Sequence, residues 1–175
     1  MNDPVKGRIL GIDPGLAKMG WGVVDIDGPG FRLVEYGSLK TGGDQSHAER
    51  LLAIDEEISA VIRRFLPEVS AVEEVFQGKN ARSALVAGEA RGVAIVACGR
   101  AGLPVREISA SEVKLGVTGN GRASKEQVQA MVQRILGLEK PPKPADAADA
   151  LAVAIVRGQR DRRSISVVSP RSGGS

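Results

Sequence analysis

Residues 8–39 read "RILGIDPGLAKMGWGVVDIDGPGFRLVEYGSL", and three strands can be cut from them. "RILGID" (8–13), "GWGVVDI" (20–26) and "FRLVEYGSL" (31–39) are rich in β-branched and aliphatic residues, and the last alternates apolar with polar positions. Pro14-Gly15 and "DGPG" supply turn chemistry between them, so the spacing predicts an antiparallel meander. Asp13 is the odd member of this set. An apolar run ends on a carboxylate although Pro14-Gly15 makes the turn without it, so Asp13 is either a turn residue or a chemical group.

Beyond the meander the period changes. Ser46 and Glu49 stand at capping-box spacing, and Leu51, Ile54, Ile58, Ile62 and Phe65 then form one apolar stripe of a helix that Pro67 ends. A fourth strand is expected at "VSAVEEVF" (69–76) and a fifth at "LPVREI" (103–108). Between them lies a helix carrying small residues Ala84, Gly88 and Gly92 at four-residue spacing. Such a stripe marks a closely packed neighbour, which is the sheet, a second helix or another subunit. Two more capping boxes, Ser109/Glu112 and Ser124/Gln127, open helices, the second covering 125–136 with Val128, Met131, Val132 and Ile135 inward. A last helix is expected over 145–157, and residues 158–175, with little to bury, are expected to be a disordered tail. A meander followed by alternating strands and helices predicts an α/β fold with a mixed five-stranded sheet, in a single domain over 1–157.

Composition removes several classes of function. Of 175 residues, 42% are apolar and 26% charged, ordinary values for a globular domain rather than a disordered or membrane protein. "MNDPVKGR" at the start shows no signal-peptide pattern, so a cytoplasmic location is expected. One cysteine and one histidine leave no zinc set, and His47 falls in a helix start, which argues against a Ser-His-Asp triad. The net charge of +3 is uneven: residues 1–74 carry 8 Lys/Arg against 13 Asp/Glu, and residues 75–175 carry 16 against 8. An acidic part beside a basic part fits a carboxylate metal site within a nucleic-acid surface.

Carboxylates interrupt apolar sequence in three places. Asp13 ends the first strand, Glu73 or Glu74 breaks the fourth, and Asp146 and Asp149 lie three apart in "PADAADALAVAIV". Alternation along a strand lets only one of Glu73 and Glu74 face a given site. Helical positions i and i+3 share a face, so both aspartates can reach one place. A cluster of this kind repels itself unless cations are bound, and Mg²⁺ or Mn²⁺ match all-oxygen ligands.

Four segments, "GIDPG" (11–15), "AVEEVFQGKNARSALVAGEARGVAIVA" (71–97), "EVKLGVTGNGRASKEQV" (112–128) and "ADAADALAVAI" (145–155), together resemble the RuvC family of Holliday junction resolvases. The likeness runs from about residue 8 to 157. It implies an RNase H-like fold with helices on both faces of the sheet, and a homodimeric endonuclease that resolves four-way DNA junctions by paired symmetric nicks. It also implies that Asp13, Glu73, Asp146 and Asp149 are the catalytic and metal-binding residues, Glu73 rather than Glu74 matching the family pattern. Some members carry histidine where Asp146 stands. Two Mg²⁺ ions, or Mn²⁺, would clamp the scissile phosphate, with Asp13 bridging, and leave a 5′-phosphate. Lys114 and Lys125 match positions near backbone phosphates and Phe76 a residue that stacks at the junction centre; Lys79 and Arg82, just beyond Phe76, could supply further phosphate contacts. The helix over 80–99 matches the family's dimerisation helix, and a branch-migration complex is the implied cellular partner. The alternatives are an RNase H-like nuclease for RNA or flaps, a phosphotransferase using "GIDPG" as a phosphate loop, and a junction-binding protein without catalysis.

Overall fold

The computed structural model describes residues 7–75 and 80–168, with side chains through residue 162. Five strands, β1 (Arg8–Asp13), β2 (Lys18–Asp27), β3 (Gly30–Lys40), β4 (Val69–Glu73) and β5 (Val105–Ile108), form one sheet in the order β3-β2-β1-β4-β5. The first three pair antiparallel as the turn chemistry predicts, whereas β4 joins β1 and β5 joins β4 in parallel. The parallel pairs need helical crossovers: α1 (His47–Phe65) carries the chain from β3 to β4 and α2 (Ala81–Arg100) from β4 to β5. Helices α3 (Ala110–Thr118), α4 (Lys125–Ile135) and α5 (Ala145–Val168) follow.

Alternation sorts the strand residues into two cores. Leu10, Ile12, Met19, Trp21, Val23 and Val72 face α1 and α2, meeting Ile54, Ile58, Ala90 and Ala94. Ile9, Val24, Ile26 and Ala71 face the other way, toward α3, α4 and the aliphatic face of α5. The sheet is therefore covered by helices on both sides, as the RNase H-like resemblance implies. All three expected capping boxes are present, and each N-cap serine accepts the backbone N–H of its N3 residue.

Three expectations need correction. β4 ends at Glu73 rather than 76, because its parallel partner β5 ends at Ile108, the residue in register with Glu73. β5 starts at Val105 rather than 103, the buried Leu103 preceding the strand. The last helix does not stop at 157 but continues to Val168, so residues 158–168 are helix rather than tail. Arginines hold that extension. Buried Arg157 donates to the Ser70 carbonyl at 3.2 Å and to Asp161 at 2.8 Å, Arg160 pairs with Glu112, and Arg162 stacks on Phe31 while donating to Pro29 and Gly30 carbonyls. "RDRR" reads as solvated in sequence, yet long side chains can pack their stems and reach polar partners with their heads.

Candidate metal and nucleic-acid site

The ladder between β1 and β4 pairs Ile12 with Val72, so Asp13 and Glu73 occupy the next rung, side by side at the carboxyl ends of two parallel strands. Both belong to the alternation set that faces α5. Glu74 is exposed and on the opposite parity, which resolves in favour of Glu73 the choice that alternation left open.

The helix that brings the aspartates is seated by glycines. Antiparallel pairing sets Gly20 opposite Asp13. A Cβ on Gly20 would overlap the backbone of Asp146 and Ala147, and one on Gly11 would overlap that of Ala150 and Ala154. Without side chains at these positions, the first turns of α5 lie directly on β1 and β2. Alternating glycines inside a strand, as in "MGWGVV", are the sequence signal of such close approach.

Asp13, Glu73 and Asp149 line one cleft of about 220 Å³ together with Lys114 of α3, Lys125 of α4 and the apolar wall of Ala110, Val113 and Val128. Asp146 is absent from that lining but acts electrostatically on Asp13 from the same helix turn. Desolvation first, then the negative charges of Glu73 and Asp149 and a hydrogen bond with Glu73, push the Asp13 carboxyl up to about 8. Desolvation and Asp149 raise Glu73 as well, against the opposing pull of its hydrogen bond with Asp13 and of Lys125 and Lys114. Lys125 Nζ lies 3.1 Å from Asp149 Oδ2, and that bond raises the lysine's pKa. The donor chemistry, carboxylate oxygens whose mutual repulsion favours added positive charge, fits a hard divalent cation. Among the described residues no three acidic, histidine or cysteine groups are drawn close enough to enclose an ion as they stand, and the ammonium of Lys125 is the cation that Asp149 holds.

The other candidates fall elsewhere. Arg82, exposed in the first turn of α2, lines a separate groove with Lys18 and Arg50. Phe76 and Lys79 lie outside the described residues. His47 starts α1 and pairs with Glu89 of α2, 2.5 Å away, rather than entering the cleft.

Comparison with known proteins identifies the family. The family model described as crossover junction endodeoxyribonuclease RuvC matches residues 9–157. The RuvC endodeoxyribonuclease of Chloroflexus aggregans is 52% identical over 148 residues, covering 85% of this chain and 90% of the relative. That of Salinispora arenicola is 44% identical over 172 residues, covering 95% and 98%. Among solved structures, Thermus thermophilus RuvC superposes with a TM-score of 0.83, and the same protein in complex with Holliday junction substrate with 0.86, each at 38% identity over 90% of this chain and 96% of the other. A yeast mitochondrial Holliday junction resolvase, 13% identical with a TM-score of 0.64 over 90% of this chain and 81% of its own, shares the fold. This chain belongs to the RuvC family, the crossover junction endodeoxyribonucleases.

Proposed function

We propose that this protein resolves four-way DNA junctions in recombination and repair, as a homodimer that cuts two opposed strands symmetrically. The observation that carries this reading is the meeting of Asp13, Glu73 and Asp149, from β1, β4 and α5, in a cleft flanked by two lysines. Asp13, Glu73, Asp146 and Asp149 would hold two Mg²⁺ ions, Mn²⁺ being the alternative. Bound there, divalent ions supply Lewis-acid activation of water and stabilisation of the leaving 3′-oxygen.

The chain's own residues do the rest. Asp13, whose carboxyl feels the charges of Glu73, Asp149 and Asp146, would be a ligand of a bound cation in its deprotonated form, so cation binding and loss of its proton would go together. Lys125, bonded to Asp149, can exchange that partner for a backbone phosphate of the strand being cut, and Lys114, lining the same cleft, neutralises a second phosphate. Val113 and Val128 exclude water from one side of the cleft. Phe76 stacks at the junction centre, Lys79 and Arg82 contact phosphates, and the expected site of action is cytoplasmic, beside a branch-migration complex.

Dimerisation through α2 is supported by what does not touch it. A Cβ built on Gly88 or Gly92 meets nothing within 4 Å, so the sheet and the other helices are ruled out as the stripe's neighbour among the described residues. Leu85 and Val96 on the same helix are 66% and 57% exposed, an apolar surface suited to a second copy. A four-way junction is itself nearly two-fold symmetric, so a C2 pair offers one site to each opposed strand.

Incubation with mobile and immobile four-way junctions, linear duplex and an RNA–DNA hybrid, across several divalent ions, tests the reading. Symmetric incisions in the junctions, leaving 5′-phosphates, are expected. Cleavage of the hybrid with every junction left intact would instead favour a nuclease for RNA.

A further inference from the structure

Behind the turn that follows Asp13 a second groove opens, about 510 Å³ in volume, between the start of β2, α1 and α2. Lys18, Arg50 and Arg82 reach it from three elements, and no Asp or Glu lines it. Lys18 and Arg82 are exposed and form no ion pair among the described residues. Arg50 is oriented by a neutral group: its Nε donates to Thr41 Oγ1 at 2.8 Å, and that buried hydroxyl donates to the Leu16 carbonyl at 2.6 Å. Its guanidinium is thus held in place while both terminal amino groups stay free of any carboxylate among the described residues.

The hollow at the opposite end of the strands behaves differently. There Arg8 and Arg32 are both neutralised by Asp25, at 2.8 and 2.7 Å. Three cations converging without a counter-charge repel one another, and an anion from outside the chain relieves that repulsion. We propose that this groove is a second DNA-backbone subsite, in which Lys18, Arg50 and Arg82 hold phosphates beyond the one being cut. The inference rests on the endonuclease reading above. Lys18 follows Asp13 by five residues, so the two lie within about 17 Å of each other. A strand carries one phosphate per roughly 3.4 Å of axis, which puts the contact within about five phosphates of the cut. The groove is open to solvent and apolar between its charges, which suits a continuous polyanion passing over it better than a small phosphate enclosed on all sides.

Junction affinity measured by fluorescence anisotropy in EDTA, over a salt series, tests this. The double variant Lys18→Ala/Arg82→Ala is expected to weaken binding on the order of tenfold near 0.1 M salt and to lower the slope of log Kd against log salt by about 2, roughly 0.9 per lost phosphate contact. Arg50→Gln should lower the slope by about 1. Lys140→Ala, in the connector before α5, should keep the parent slope. A double variant with the parent Kd and slope, or one whose loss of affinity is matched by loss of self-association in sedimentation, overturns the subsite and leaves the endonuclease reading standing. Failure of the parent protein to bind or cut any junction overturns both.

Discussion

Asp13 is where the chemistry proposed for this protein and its stability meet. Its carboxyl has an ordinary value of 3.8 and is raised to about 8 in the fold, chiefly by desolvation and then by Glu73 and Asp149. Across that interval the folded, metal-free protein holds a proton that the unfolded chain has released, so stability falls as pH rises from about 4 to 8. The raised Glu73 adds in the same direction. Thermal melts in EDTA across this range should show Tm declining with pH, and added Mg²⁺ should restore it most near the alkaline end, where ions no longer compete with the proton. Asp13→Asn removes the charge but keeps the shape. It should abolish junction cleavage, well beyond the roughly 10–100-fold that loss of an outer-shell partner costs, while junction binding persists. In metal-free buffer at pH 8 the same variant should melt higher than the parent, by about 2–4 °C for each kcal/mol of repulsion relieved. Cleavage by Asp13→Asn at the parent rate would remove this residue from the site.

At the scale of elements, the decisive contact is α5 lying on the glycines of β1 and β2. Gly20→Ala forces a Cβ into the backbone of Asp146, so the first turn of α5 must lift. Overpacking of this kind costs about 1–3 kcal/mol, and more where backbone rather than a flexible side chain must give. Urea unfolding should show that loss, and cleavage should fall although no carboxylate has changed. A Gly20→Ala variant with parent stability would contradict the seating. Local signals served well wherever an element depended on its own residues: the serine caps at 46, 109 and 124 all occur where their spacing placed them. They failed where an end depends on a neighbour. β4 stops because β5 stops, and α5 continues because Arg157 finds the Ser70 carbonyl on a strand 87 residues away in sequence.

For the whole molecule, two cores on the two faces of one sheet leave α2 with an exposed apolar side. Gly92→Glu adds a charge where nothing of this chain stands within 4 Å, so the monomer fold should survive, as read by circular dichroism. Self-association should weaken by at least tenfold in analytical ultracentrifugation, about 1.4 kcal/mol, for burying one unpaired charge at the interface. Paired nicking should give way to single nicks. A variant that stays dimeric at the parent concentration would move the interface elsewhere.

Composition, turn chemistry and period were enough to establish a mixed α/β fold and to mark four acidic positions, because strand alternation, helical spacing and capping are local properties of the chain. The sequence pattern also carried the family, since four motifs in one order leave little freedom. Alternation alone left Glu73 and Glu74 open and the family pattern chose Glu73, whereas how far α5 runs, that Lys125 is bonded to Asp149 and that Arg82 lies with Lys18 and Arg50 were decided only in three dimensions. Each depends on a partner far away in the chain, and the energy of burying or pairing a charge exists only once packing has brought that partner within reach.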